Sequence, residues 1–144
     1  MTGDVSTAAA FQASVWKAYS QIAGTSGVGA SNPQDFITIL HPRRYAWARG
    51  NTTGIAAQEL FPGTVAVSAG VPTNLGAGTN EDRAIVIERS NVILVGGDVR
   101  FRAFEEVGSS TLTVRSQCFG DAALLVLNPA AVAAVTGLTA PTGF

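Results

Sequence analysis

The stretch from Pro72 to Gly137 constrains the fold most strongly, because turn signals and β-rich runs alternate along it. A loop containing one proline and two glycines comes first, and short apolar or alternating runs follow it. Runs of this kind between turn residues are typical of β-strands. Groups suited to acid–base, nucleophilic or metal chemistry are sparse here. The pattern predicts a strand-rich scaffold with little catalytic chemistry.

The composition indicates a surface that meets a partner. A chain of 144 residues fits one domain, or one compact body with a protruding element. Charged residues make up 13% of the chain, against about 25% in an average soluble protein. We therefore expect part of the apolar surface to be an interaction site, although abundant Ala and Gly also raise the apolar share.

Charge and hydropathy exclude several classes of protein. The formal net charge is −1 and there is no basic block, which argues against nucleic-acid binding through counterion release as the main task. No apolar run approaches the roughly 20 residues of a membrane helix. The N-terminus lacks the features of a signal peptide, and a single cysteine cannot form an internal disulfide.

The first half of the chain reads as a helix followed by a strand–helix unit. Apolar residues at a spacing of three or four predict a helix over Thr7–Ala23, with Ser6 or Thr7 as its cap. The apolar stripe comprises Ala8, Phe11, Val15, Ala18 or Tyr19, and Ile22. Phe36–Leu40 reads as a strand, and Pro42 suits the first turn of a helix that continues to Arg49.

The second half reads as strands. Those before the hairpin are Thr64–Ala69, Ala84–Glu88 and Asn91–Val95. Val99–Phe104 and Thr111–Phe119 alternate between apolar and polar residues, which predicts a long β-hairpin with its turn at Gly108-Ser109-Ser110. The hairpin is expected to have one apolar and one polar face. Ala122–Leu127 is predicted to be a buried strand, and Leu138–Phe144 a loose tail.

Few residues offer chemistry, and each has a structural interpretation. His41 precedes Pro42 without a nucleophile nearby, which favours a junction or capping role over general-base catalysis. Cys118 falls on the apolar face of its strand, where cysteine acts as a small buried hydrophobe. We predict no cofactor and no metal site, because the chain lacks a His/Cys cluster and the glycine patterns match no nucleotide-binding motif.

The charged pairs also have structural interpretations. Glu81 and Asp82 are adjacent, as are Glu105 and Glu106, and neighbours on a strand point to opposite faces. They are therefore poor acid–base pairs, and Arg83 is expected to form an ion pair with the first of them. In the predicted second helix, Trp47 is expected to enter the core. Arg43 and Arg44 are expected to lie on the solvent or interface side.

The order of these elements resembles a known family. The units that carry the resemblance are the initial helix, Phe36-Ile37-Thr38-Ile39-Leu40-His41-Pro42-Arg43-Arg44-Tyr45, Phe61-Pro62-Gly63-Thr64-Val65-Ala66-Val67, the Pro72–Arg83 loop, Ser110-Thr111-Leu112-Thr113-Val114-Arg115 and Leu124-Leu125-Val126-Leu127-Asn128-Pro129. Together they resemble the C-terminal half of the major capsid proteins of tailed bacteriophages. The same shell fold occurs in encapsulin nanocompartments and in the floor of herpesvirus capsids.

The resemblance implies an α+β fold of the phage major-capsid type. Residues 1–90 would form the first part of an axial domain, with a central β-sheet flanked by helices. Residues 91–121 would form the long β-hairpin of a peripheral domain, and residues 122–144 the C-terminal strand of the axial domain and a tail. The family's N-terminal arm, extended loop and spine helix are not visible, so a C-terminal fragment or a naturally truncated relative is expected.

The resemblance also implies a function without catalysis. The chain would be a structural subunit of an icosahedral bacteriophage capsid, located in the virion and assembled in the host bacterial cytoplasm. Its partners would be other copies of itself, as pentamers and hexamers that enclose double-stranded DNA without sequence-specific binding. No membrane partner is expected. An encapsulin-like nanocompartment shell is the alternative, with a ligand-binding module using the glycine-rich loops, or a hydrolase using His41, as further possibilities.

Five charged residues of the hairpin are the candidate subunit-interface residues: Arg100, Arg102, Glu105, Glu106 and Arg115. A projecting two-stranded element is marginal by itself and needs packing against something else. In a symmetric shell, arginines of one copy could meet glutamates of the next. Charges at the rim of an interface set register and specificity more than affinity.

Overall fold

The computed structural model describes residues 2–3, 6–25, 28–29, 32–52, 59–106 and 113–141. The helices and strands of these residues, in chain order, are α1 (Ala8–Ala23), β1 (Phe36–Leu40), α2 (Pro42–Gly50), β2 (Thr64–Val67), β3 (Glu81–Glu88), β4 (Val92–Gly96), β5 (Arg100–Glu106), β6 (Thr113–Phe119), β7 (Ala122–Val126) and β8 (Val132–Thr139). Neither helix among them is long and apolar enough to cross a bilayer.

The chain divides into two compact units. The first comprises Met1–Asn91 and Asn128–Phe144, and we call it the core unit. The second comprises Val92–Leu127, and we call it the ribbon. The ribbon therefore includes β7, whereas the sequence placed the segment from residue 122 onward with the axial domain.

A four-stranded mixed sheet organises the core unit. Its strand order is β2-β1-β3-β8, with β1 and β2 parallel and the other neighbours antiparallel. Every second residue of β3 is buried, which is the period-two pattern of a strand with one face toward a core. With α1 and α2, this sheet gives the α+β class that the sequence predicts.

Helix α1 supplies the largest apolar stripe of the core. Its buried residues are Ala8, Phe11, Val15, Ala18 and Ile22, which confirms the stripe predicted from spacing. The Thr7 Oγ1 accepts a hydrogen bond from the backbone N–H of Ala10 at 3.1 Å. This bond satisfies one of the free donors at the helix start. The Phe11 ring packs edge-on against Phe61, with ring centres 5.6 Å apart.

His41 caps helix α2, as the sequence predicts. Its Nδ1 accepts a hydrogen bond from the backbone N–H of Arg43 at 3.2 Å. Pro42 occupies the first helical turn, where its missing N–H costs nothing. The side chain thus acts at the strand–helix junction by holding the backbone.

Arg44 is fully buried and forms an ion pair, so its predicted position on the solvent or interface side is wrong. Its Nε donates to Asp82 Oδ1 at 3.0 Å, and Asp82 is buried as well. Burial lowers the pKa of Arg44 from its ordinary value, and the Asp82 charge offsets part of this effect. The guanidinium carbon also lies 5.5 Å from the ring centre of Phe11 and 5.3 Å from that of Trp47.

The same cluster of charges holds the last strand in place. The Nη2 of Arg44 donates to the backbone carbonyls of Leu138 and Thr139, and Leu138 is buried. The backbone N–H of Ala140 also donates to the carbonyl of Asn80 at 2.9 Å, so the prediction of a loose tail from Leu138 is wrong for residues 138–140. Residues 142–144 lie outside the described residues. Asp82 pairs with Arg43, at 2.9 Å, as well as with Arg44. Asp82 therefore forms its ion pairs with Arg43 and Arg44, which are distant in the sequence, and not with the neighbouring Arg83 as predicted.

Gly63 occupies a position that no other residue fits well. Its φ is +70°, and a Cβ placed there would lie 2.0 Å from the carbonyl oxygen of Phe36. We expect Gly63→Ala to lower the free energy of unfolding by more than the roughly 1–3 kcal/mol of backbone strain alone. Chemical unfolding followed by tryptophan fluorescence measures this, because Trp16 and Trp47, the two tryptophans of the chain, belong to the core unit.

Gly29→Ala is the matched control for Gly63→Ala. Its φ is +78°, but nothing lies within 4 Å of an added Cβ. The control variant therefore loses stability through backbone strain alone, without a steric clash. Equal losses in the two variants would contradict the close approach of Gly63 to Phe36.

Candidate subunit interface

The ribbon is a two-stranded antiparallel structure in two segments. In the first segment β4 pairs with β7, starting with Val92 opposite Val126. In the second, β5 pairs with β6, starting with Arg100 opposite Phe119. These pairings fit the strands of the predicted hairpin. Its predicted turn at Gly108-Ser109-Ser110 lies outside the described residues.

A β-bulge joins the two segments. The backbone N–H of Gly97 donates to the carbonyl of Asp121 at 2.7 Å, which continues the β4–β7 register. Between this pair and the start of β5, Asp98 and Val99 stand opposite the single residue Gly120. Two residues facing one is the count of a bulge, which bends the strand and increases its twist.

The β4–β7 segment exposes apolar side chains on both faces. Its sequences, VILVG and AALLV, contain no polar residue. Leu94 and Leu124 stand opposite each other and are 72% and 66% exposed. The other exposed large hydrophobics of β4, β7 and the residue that follows are Ile93, Val95, Leu125, Val126 and Leu127. An exposed cluster of this kind marks an interaction surface.

The prediction of a buried strand at Ala122–Leu127 is therefore wrong. Every residue of β7 is exposed. The physical reason is that a two-stranded ribbon has no second layer of its own to cover its faces. The prediction for Cys118 is wrong in the same way, because this thiol is exposed on β6, opposite Phe101.

Two of the candidate arginines are exposed to solvent on the β5–β6 segment. Arg100 and Arg102 are both exposed, and the intervening Phe101 is 78% exposed. The guanidinium carbon of Arg102 lies 5.4 Å from the ring centre of Phe119. This cation–π contact orients one arginine along the ribbon without neutralising it.

The other three candidates are placed by their backbone register. Glu105 stands opposite Val114, Glu106 opposite Thr113, and Arg115 opposite Phe104. The pairing of β5 with β6 thus brings all five candidate residues into the same segment. Their role in an interface stays a prediction.

Sequence reasoning missed the apolar side chains of β4 and β7 as site residues, because it assigned this run to a core. The available signal was the absence of any polar residue from both strands. A strand with one wet face should alternate instead. The candidate interface therefore includes Leu94, Val95, Leu124, Leu125 and Leu127 beside the five charged residues.

A comparison with models of protein families gave no match, and a comparison with curated proteins gave no significant match. Among solved structures, the chain is similar to that in the crystal structure of a virus-like particle from Pyrococcus furiosus. The TM-score is 0.63 at 17% sequence identity, and the alignment covers 94% of this chain and 54% of that chain. The two chains therefore share a fold, and this one spans about half the length of the other.

This similarity confirms the prediction of a shell-protein fold at a coarse level. The mixed sheet and two helices of the core unit fit that fold. The finer assignment to the major capsid proteins of tailed phages is a proposal.

Proposed function

We propose that the chain is a structural subunit of a protein shell and that its ribbon contacts neighbouring copies. The observation that carries the proposal is the uncovered apolar surface of β4 and β7, in a chain whose fold is that of a virus-like particle protein. Apolar surface of this extent is unfavourable in water, at about 25 cal/mol per Å². Contact with further copies would remove it from water. This role requires no catalytic residue.

Two kinds of shell fit these observations about equally. One is an icosahedral bacteriophage capsid, with pentamers and hexamers that enclose double-stranded DNA in a virion formed in the host cytoplasm. The other is an encapsulin-like nanocompartment that holds a protein cargo. The near-neutral charge of the chain supports enclosure of DNA without sequence-specific binding in the first case. The contents of purified particles separate the two, since nuclease-protected DNA favours a capsid and a protein cargo favours a compartment.

Light scattering over a range of concentrations, with electron microscopy of the same sample, tests the shell proposal. We expect the mass to rise with concentration and rings or closed particles to form. A monomer at every concentration would contradict the proposal that this chain assembles by its own contacts.

The charged residues of the ribbon are proposed to set the register between copies. Replacing both Glu105 and Glu106 with Lys is expected to prevent regular particles, because like charges would then face Arg100, Arg102 or Arg115 of a neighbour. Electron microscopy checks the particles. Glu59→Lys, at an exposed glutamate of the core unit, is the control. Normal particles from the Glu105/Glu106 variant would contradict this role.

A further inference from the structure

A buried carboxylate holds the turn that leads into the ribbon. Glu88, the last residue of β3, is 2% exposed. Its Oε1 accepts from the backbone N–H of Ser90 at 3.1 Å and from the Ser90 hydroxyl at 2.8 Å. Its Oε2 accepts from the backbone N–H of Asn91 at 3.1 Å and from the Asn91 side chain. One carboxylate therefore fixes the backbone and side chains of two successive residues.

The position of these two residues gives the cluster its significance. Arg89–Asn91 form a single 3-10 turn, and the ribbon begins at the next residue, Val92. The Asn91 amide also donates to the carbonyl of Val28 at 3.3 Å, which ties the turn to a second part of the core unit. On the returning chain, the corresponding turn Pro129–Ala131 is capped by Asn128, a residue that does not titrate.

The surroundings keep Glu88 ionised. Burial raises the pKa of Glu88, but the hydrogen bonds from Asn91 and Ser90 outweigh it, so that the pKa lies below its ordinary value. Among the described residues, Asp35 and Arg89 are the other charged side chains that line the adjacent open cavity of about 620 Å³. The neighbouring strands β1 and β8 have no charged residue, and the buried stripe of α1 is apolar.

We propose that ionised Glu88 is a proton-sensitive lock on the turn Arg89–Asn91, and that protonation releases this turn while the rest of the core unit stays folded. A protonated carboxyl accepts fewer hydrogen bonds and carries a donor of its own. It cannot satisfy four donors from Ser90 and Asn91. The open cavity beside Glu88 gives protons a route to the carboxylate.

The direction of the pH dependence follows from the sign of the shift. Because the pKa of Glu88 is depressed in the folded chain, its stabilising effect is fully present above the ordinary value of about 4.3. It is lost as the pH falls through the lower, folded value. Hydrogen exchange, corrected for intrinsic rates, should therefore show falling protection of the Ser90 and Asn91 amides in acid. Amides in the middle of β3 should keep theirs.

Trypsin gives a direct test at neutral pH, because the bond after Arg89 lies inside the locked turn. In Glu88→Gln the amide group of Gln faces donors of Ser90 or Asn91, and the carboxylate charge is lost. Hydrogen bonds to a charged group are strong enough that we expect cleavage after Arg89 to rise roughly 10- to 100-fold. Glu59→Gln is the matched control, and cleavage after the exposed Arg100 is the internal reference.

Three outcomes would overturn the lock. The first is unchanged cleavage after Arg89 in Glu88→Gln. The second is an equal rise in cleavage after the buried Arg44, which would mean that the whole core unit had opened. The third, in the unaltered chain, is Ser90 and Asn91 protection that does not depend on pH, or that is lost together with the protection of β3.

Discussion

Replacing Asp82 with Asn is expected to lower the free energy of unfolding of the core unit by about 3–5 kcal/mol. The side chain of Asp82 is buried and accepts hydrogen bonds from Arg43 Nε at 2.9 Å and from Arg44 Nε at 3.0 Å. Asn has nearly the same shape but no charge. Arg44 would then be a buried cation without a counter-charge, which is the costly arrangement.

Urea unfolding followed by tryptophan fluorescence measures this loss. Asp98→Asn, at an exposed position in the ribbon, makes the same chemical change and should alter stability by less than about 0.5 kcal/mol. Equal urea midpoints for the two variants would contradict the prediction, because they would mean that the Asp82 charge does not stabilise the buried Arg44.

A second substitution separates the buried charge from the lost hydrogen bonds. In Arg44→Met combined with Asp82→Asn, the buried Arg44 cation is removed together with its counter-charge. We expect this double variant to be more stable than Asp82→Asn alone, because a buried ion pair replaced by apolar groups is often neutral. The double variant could instead lose as much stability as the two single variants together. That result would mean that the loss comes from the broken hydrogen bonds of Arg44 to the carbonyls of Leu138 and Thr139, and not from an unpaired charge.

Changing Leu94 to Lys together with Leu124 to Glu is expected to abolish assembly and leave the core unit folded. The two residues stand opposite each other, so Lys and Glu can pair across the ribbon and preserve β4–β7 pairing. What the variant loses is apolar surface, worth about 1.5–3 kcal/mol for each leucine that a neighbour covers. Two leucines at one contact correspond to a weakening of more than about 100-fold.

Light scattering measures the assembly, and tryptophan fluorescence reports the core unit separately. The control is Ala9→Glu with Ala13→Lys, which adds the same two charges to exposed positions of α1 at a favourable helical spacing. Assembly of the Leu94/Leu124 variant at the concentration that suffices for the control would remove this surface from the proposed interface.

The parts of the fold that the sequence predicted are those governed by neighbours along the chain. Helix α1 repeats its apolar residues at the helical period, and Thr7 and His41 precede their helices in the usual capping position. The burial of Arg44 could not be read in this way. Arginine is rarely buried, and its partner Asp82 is 38 residues away in the sequence. Only the fold brings the two together.

Only part of the candidate site could be predicted from the sequence, and the reason differs from that for Arg44. The alternation of Arg100 and Arg102 with Phe101 indicated a strand, and both arginines are exposed on β5. The apolar run Ala122–Leu127 was assigned to a core because burial inside a chain and burial between chains select the same residues. Sequence pattern alone does not distinguish a leucine buried inside its own chain from one that a second chain would bury.

The bulge in the ribbon decides which side its arginines take. If alternation is carried through Gly120 and Asp121, Leu124 and Cys118 fall on one side of the ribbon, and their partners Leu94 and Phe101 fall there as well. This holds because the extra residue among Asp98 and Val99 changes the phase of the outgoing strand. A strand that kept Val99 but continued without the bulge would slip its pairing with β6 by one residue and would place Arg100 and Arg102 on the side of Leu94. The backbone geometry at Asp98 and Val99 is therefore as much a part of the proposed interface as the charges are.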